Sequence, residues 1–125
     1  MANEAVKRAV RIADRIRAEL EDVLHRGIVR DPAAQGAVIS SVKVTDDLRL
    51  ATVYVRCLTG AEVPRQKNLV RAMERAKGVM RRELSTRMQL RYTPELKFFW
   101  DEGADHALRM DTLFDEIAKE KKGPA

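Results

Sequence analysis

The chain has 125 residues, of which 45% are hydrophobic and 34% charged, enough apolar content to exclude a disordered tail. That length corresponds to one domain, and it can bury a core without metal or disulfide staples. Lys and Arg number 24 against 19 Asp and Glu, a formal net charge of +5 that favours a polyanionic partner.

Val6, Ala9, Val10, Ala13, Ile16, Leu20, Val23 and Leu24 recur at three- and four-residue steps and predict an amphipathic helix over 4–26. Gly27 suits a left-handed cap, Asp31-Pro32 forbids continuation, and 30–36 reads as a loop. Two strands follow, Val38 to Thr45 and Leu50 to Leu58, with Val38, Val42 and Val44 on one face of the first and Ala51, Val53, Val55 and Cys57 on one face of the second. Thr45-Asp46-Asp47 supplies turn residues, so the expected connection is an antiparallel hairpin.

Gly60 breaks the second strand, and Pro64 suits the first turn of a second helix over about 65–90. Its core stripe is Leu69, Met73, Ala76, Met80, Leu84 and Met88. Gly inside a helix costs about 1 kcal/mol relative to Ala, so Gly78 is expected to mark a bend, which Gly78→Ala would straighten or strain. After Pro94 a third strand alternates Leu96, Phe98 and Trp100 with Glu95, Lys97 and Phe99. Leu108, Leu113, Phe114 and Ile117 predict a terminal helix over about 105–119, with a frayed tail over 120–125. The expected architecture is one α+β domain over 1–125, ordered α-β-β-α-β-α, with helices packed on a three-stranded sheet.

The charge is segregated. Residues 65–92 carry nine Lys or Arg and only Glu74 and Glu83 as acids, whereas 93–125 carry five bases and eight acids. Lys67, Arg71 and Arg75 are four apart and share a helix face, Arg82 lies two turns further on, and Lys77 and Arg81 straddle the expected bend. Arg87 and Arg91 complete the cationic run. A planar guanidinium donates two parallel hydrogen bonds to phosphate, and each neutralised phosphate releases counterions, so this face suits a nucleic-acid phosphate backbone. The competing reading is a solvated helix face; the scarcity of acids argues against it, because salt-bridged surface helices interleave signs. Lys7, Arg8, Arg11 and Arg15 form a second stripe that extends the same surface or merely solvates the first helix, with Asp14 and Glu19 close enough to pair with some of it. Only Tyr92 lies near as a base-stacking aromatic, so recognition by shape and phosphates is expected.

Ala76-Lys77-Gly78, followed by Val79-Met80-Arg81-Arg82-Glu83-Leu84 and then by Leu90 to Phe99, resembles the bacterial ribosome-binding factor A family. The resemblance runs from about Val6 to Ile117, with weaker agreement at Ile28 to Pro32 and His106 to Met110. It implies a type II KH-like fold in which an interrupted helix carries Ala-x-Gly in place of a Gly-x-x-Gly loop. It also implies a factor that binds the small (30S) ribosomal subunit and its 16S rRNA during late maturation, catalyses no reaction, and is released by a GTPase partner or by competing factors. Small side chains at Ala76 and Gly78 equally serve close packing.

Cys57 is the only cysteine, which excludes an internal disulfide and a Cys-based zinc site and fits a reducing cytoplasm. MANEAVKRAV lacks an apolar run of signal-peptide length, and no stretch approaches the ~20 apolar residues of a membrane span. His25 and His106 are isolated, and no phosphate loop, His-x-x-x-His or Ser elbow is present, so no catalysis, cofactor, metal or small-molecule substrate is expected. Asp101, Glu102 and Asp105 read more cheaply as a helix cap than as a cation site. A cytoplasmic monomer on rRNA is the leading expectation. A generic nucleic-acid-binding module is the alternative, and a protein-interaction domain using Tyr54, Phe99 and the terminal helix is a third.

Overall fold

The computed structural model describes residues 3–102. Helix α1 spans Glu4–His25, and Asn3 caps it by accepting the Val6 N–H at 2.9 Å. Ala9, Ala13, Ile16, Leu20 and Val23 form its buried stripe. Its end is a Schellman closure: Gly27 takes φ +73°, Ile28 N–H bonds the Val23 carbonyl and Gly27 N–H bonds that of Leu24. Positive φ at Gly27 needs no Cβ-bearing residue to strain, so the chain reverses cleanly there. The expected loop contains a short 3-10 turn at Pro32–Ala34, which Asp31 caps through the Ala33 N–H.

Strands β1, Ala37–Val44, and β2, Leu50–Cys57, pair antiparallel. The pairing is irregular between Ile39 and Ser41: Ile39 opposes Val55, while Ser41 opposes Tyr54. This bulge reverses the in-out alternation, so Ile39 is buried with Val42 and Val44 on its side of the sheet. The expectation that Val38 joins Val42 and Val44 is corrected accordingly; Val38 opposes Arg56 on the other face. Period-two reading fails wherever one residue is inserted, and Ser40, whose hydroxyl donates to the Tyr54 carbonyl, is that residue.

The expected second helix is two helices, α2 at Val63–Arg75 and α3 at Lys77–Met88. Ala76 alone separates them, with φ −87° and ψ 0°, and its N–H is shared between the Ala72 and Met73 carbonyls. The break therefore sits at Ala76 and not at Gly78, which lies inside α3. The apolar stripe is uninterrupted across it: Leu69, Ala72, Met73, Ala76, Met80 and Leu84 are all buried. Burial of that stripe holds both helices on the sheet, so the interruption costs the core nothing.

Strand β3, Glu95–Trp100, runs parallel to β2 and makes the sheet order β1-β2-β3. A parallel neighbour demands a crossover, and α2 with α3 is that crossover. Leu96 and Phe98 point into the core, where they meet Val53, Val55, Leu69, Met73 and Met80 in one cluster with α1. All helices thus cover one face, while Ser41, Lys43, Thr52, Tyr54, Lys97 and Phe99 share the other by register. The order α-β-β-α-α-β, on a three-stranded sheet, is the α+β arrangement that the sequence resemblance implies. The expected terminal helix over 105–119 and the tail over 120–125 lie outside the described residues.

Gly78 has ordinary backbone angles, and a Cβ built on it meets nothing within 4 Å. Gly78→Ala is therefore expected to raise stability by up to about 1 kcal/mol through helix propensity, in place of the strain the sequence suggested. A denaturant midpoint lower than that of the unaltered chain would show that the break at Ala76 depends on the glycine.

Candidate nucleic-acid interface

Arginine serves equally as a phosphate ligand and as an internal tie, and the structure separates the two uses. Arg81 donates from Nε to the Pro94 carbonyl at 3.1 Å and from Nη2 to that of Thr93 at 2.9 Å. It pins the approach to β3 against α3, so its fork is occupied. Arg87 is the hub between α1 and α3: its Nη1 lies 2.6 Å from Asp22 and 3.6 Å from Glu19, and its Nε 3.3 Å from Glu83. Only 20% of its side chain is exposed, a poor position from which to grip a phosphate. Arg75 pairs with Asp31 at 2.8 Å and fastens α2 to the 3-10 turn. Lys77 pairs with Glu74 at 2.6 Å, while the same Glu74 accepts the edge N–H of Phe98.

The remaining cations of this segment are left open. Lys67, Arg71, Arg82 and Arg91 are exposed, with no hydrogen bond or ion pair among the described residues. On α1, Arg8 and Arg11 are likewise exposed and without such partners, whereas Lys7 approaches Glu4 at 4.0 Å and Arg15 donates to the Arg87 carbonyl at 3.4 Å. The expected pairing of Glu19 with α1 cations is replaced by its contact with Arg87 across to α3. Helix α1 packs on β1 and α2 packs on β3, at opposite edges of the sheet, so their stripes belong to opposite margins of the helical layer.

Sequence periodicity misses an aromatic at the cationic margin. Trp100, at the end of β3, lines a recess of about 350 Å³ with Gln66, Lys67, Val70 and Arg71 of α2. Its position on the core face of an edge strand reads as simple packing. Only the β2–β3 pairing and the docking of α2 reveal that its indole also reaches the margin occupied by Lys67 and Arg71. Tyr92 is 78% exposed beside Arg91, as its loop position suggests. Cys57 is half-buried at the end of β2, its Sγ 3.2 Å from the Thr59 hydroxyl. No described helix is long and apolar enough to cross a membrane.

A small α+β protein of the KH kind, whose crossover helix is broken at an alanine and whose outer face carries unpartnered cations, is the class that fold and site define. The family model described as ribosome-binding factor A matches residues 8–114, and the chain belongs to that family. A ribosome-binding factor A of Sorangium cellulosum is 41% identical over 119 residues, covering 94% of each protein. Among solved structures, a candidate ribosome binding factor A of Thermotoga maritima superposes with a TM-score of 0.65 at 29% identity, over 79% of this chain and 91% of that one. A homology model of the Thermus thermophilus ribosome binding factor A, as fitted into an electron-microscopy map of its 30S complex, superposes with a TM-score of 0.52 at 23% identity, over 70% of this chain and 93% of that one.

The Arg87 hub has a titration signature. Its guanidinium, followed by that of Arg26, holds the Asp22 carboxyl below its ordinary value of 3.8. A depressed carboxyl binds its proton more readily in the unfolded chain, so its stabilisation is complete above about pH 4 and is lost as pH falls through the lowered value. Thermal unfolding from pH 6 to 2 should show Asp22→Asn with a flatter acid limb, and Arg87→Met with a lower melting temperature at neutral pH. An acid limb unchanged in Asp22→Asn would remove the hub from the α1–α3 contact.

Proposed function

We propose that this chain binds the small ribosomal subunit through the cations on the outer faces of α2 and α3, and that it promotes late maturation of 16S rRNA by holding a folding state of the subunit. The observation that carries the reading is that Lys67, Arg71, Arg82 and Arg91 stand exposed with no ion pair to any acid among the described residues, in a family one of whose members has been fitted into a 30S complex. Carboxylates and main-chain carbonyls engage Arg75, Lys77, Arg81 and Arg87 internally. Those left outward have water and counterions as their alternative, and phosphate displaces both with a gain from counterion release.

The geometry of rigid helices supports contact with a folded RNA. A phosphate lattice fixed by rRNA tertiary structure is matched by side chains on helices that the core holds still, which gives preference by shape. Arg75 and Lys77 retain exposed donors and take a secondary part; Arg81 and Arg87 act indirectly, by fixing the β3 approach and the α1–α3 contact. In this reading the chain works as a cytoplasmic monomer without a cofactor, and departure from the mature subunit falls to a GTPase or a competing factor.

Sedimentation of lysate at physiological salt tests the reading. The unaltered protein should travel with free small subunits, and the triple variant Lys67→Glu, Arg71→Glu, Arg82→Glu should stay at the top of the gradient while melting normally, because none of the three has an internal partner. With purified subunits, removing three phosphate contacts should reduce the slope of log affinity against log salt by about 2–3. Distribution over all nucleic acid, DNA included, would favour the generic binder.

A further inference from the structure

The recess between α2 and the end of β3 differs chemically from the rest of the cationic surface. Its apolar floor is Val70 and Trp100, and two cations without acid partners among the described residues, Lys67 and Arg71, stand on its walls. Trp100 Nε1 is buried and has no hydrogen-bond acceptor among the described residues. An unpaired buried donor is destabilising, and a phenylalanine packed on the same core residues would leave none unpaired. Filling the core therefore does not account for an indole at this position, whereas a broad π-face at the edge of a cationic surface has an evident use.

We propose that this recess holds one unpaired nucleobase of the bound RNA, its ring against Trp100 and Val70 and its phosphate between Lys67 and Arg71. The proposal rests on the RNA-docking reading above and adds a selection that phosphate contacts alone do not provide. Phosphates position a protein without reading what they belong to. In an A-form duplex the bases are stacked and paired, so only a base turned out of its helix, in a bulge, loop or single strand, enters such a recess. The charge balance separates this recess from the other exposed aromatic pair, Tyr54 and Phe99, whose ring centroids lie 6.1 Å apart on the open sheet face. There Lys43 and Lys97 are offset by Glu95, Asp101 and Glu102, a mixed field that offers RNA no net attraction.

Trp100 is the only tryptophan in the chain and borders both the recess and the open-face hollow of Tyr54 and Phe99. Quenching is therefore assigned to the recess when Lys67→Glu with Arg71→Glu abolishes it and Phe99→Ala does not. The full chain is titrated with a short mixed-sequence single-stranded RNA and, separately, with the matching RNA duplex, each end-labelled so that anisotropy gives binding independently. The single strand should quench Trp100 saturably, with a midpoint matching the anisotropy curve, while the duplex should bind without quenching. Trp100→Leu should weaken single-strand binding about 5- to 150-fold, the range for loss of one base stack, and leave duplex binding unchanged. Should Trp100→Leu fail to fold, Val70→Ala and the quenching of the unaltered protein decide the matter. Binding of single strands by anisotropy with unchanged Trp100 emission would overturn the recess and leave the phosphate surface standing. Absence of binding to either RNA would overturn both.

Discussion

The constraint on which this structure depends is the uninterrupted apolar stripe from Leu69 through Ala76 to Leu84. A parallel β2–β3 pair exists only if the intervening chain crosses the sheet, and the crossing segment must bury one face along its whole length. Two helices separated by a single residue manage this because Ala76 is both the junction and a member of the stripe. Its N–H still finds two carbonyls, so the junction leaves no orphaned donor. A larger side chain at this buried point would have to displace its core neighbours, and an intact helix would carry α3 along a different line over the sheet. What faces outward follows from the same fact: the stripe fixes which residues of α2 and α3 face solvent, among them Arg65, Lys67, Arg71, Arg75 and Arg82.

Charge is then sorted by neighbourhood. Arg75, Lys77, Arg81 and Arg87 lie where the chain folds back on itself, beside Asp31, Glu74, the Thr93 and Pro94 carbonyls, and the Asp22, Glu19 and Glu83 cluster. Lys67, Arg71, Arg82 and Arg91 lie where no described acid or carbonyl meets them. Exposed ion pairs contribute little individually, but a hub such as Arg87, which joins α3 to α1 through Asp22 and Glu19 and is steadied by Glu83 of its own helix, acts at a contact the sheet does not otherwise enforce. The same residue type thus stabilises the scaffold in one place and remains available to a ligand in another.

The order of elements as far as β3 was legible in the sequence, with the crossover read as one bent helix. So were the α1 cap at Gly27, the hairpin, the inward set of β3 and the stripe across the interruption, because each depends on local periodicity or on one residue with a special conformation. The β1 bulge was not, since one inserted residue reverses the alternation from which strand faces are read; Ile39 took the place assigned to Val38 for that reason. The position of the helix break was misjudged for a related cause. Helix propensity singles out glycine, yet the residue that departs from helical angles is an alanine whose conformation is decided by packing on the sheet. Of the cationic run, the composition revealed that a surface exists but not which members belong to it, because Asp31 is 44 positions from Arg75 and Asp22 is 65 from Arg87. Pairings at such separation have no periodic signature.

Trp100 shows how an edge strand changes the meaning of a core residue. In a central strand, the inward side chain is enclosed by neighbours on both sides. On β3, with β2 on one side only, the inward side chain is enclosed on that side and by α2, and its far rim is left to whatever lies beyond the sheet. The β3 edge is protected at Phe98, where Glu74 takes the N–H, and Trp100 stands further along, where α2 presents Lys67, Val70 and Arg71. Parallel pairing with β2 is what brings the last residue of β3 to this height, since Trp100 is level with Val55. An antiparallel β3 would place it at the opposite end of the sheet, away from the first turns of α2. The topology that satisfies the core is therefore also what sets an aromatic between two open cations.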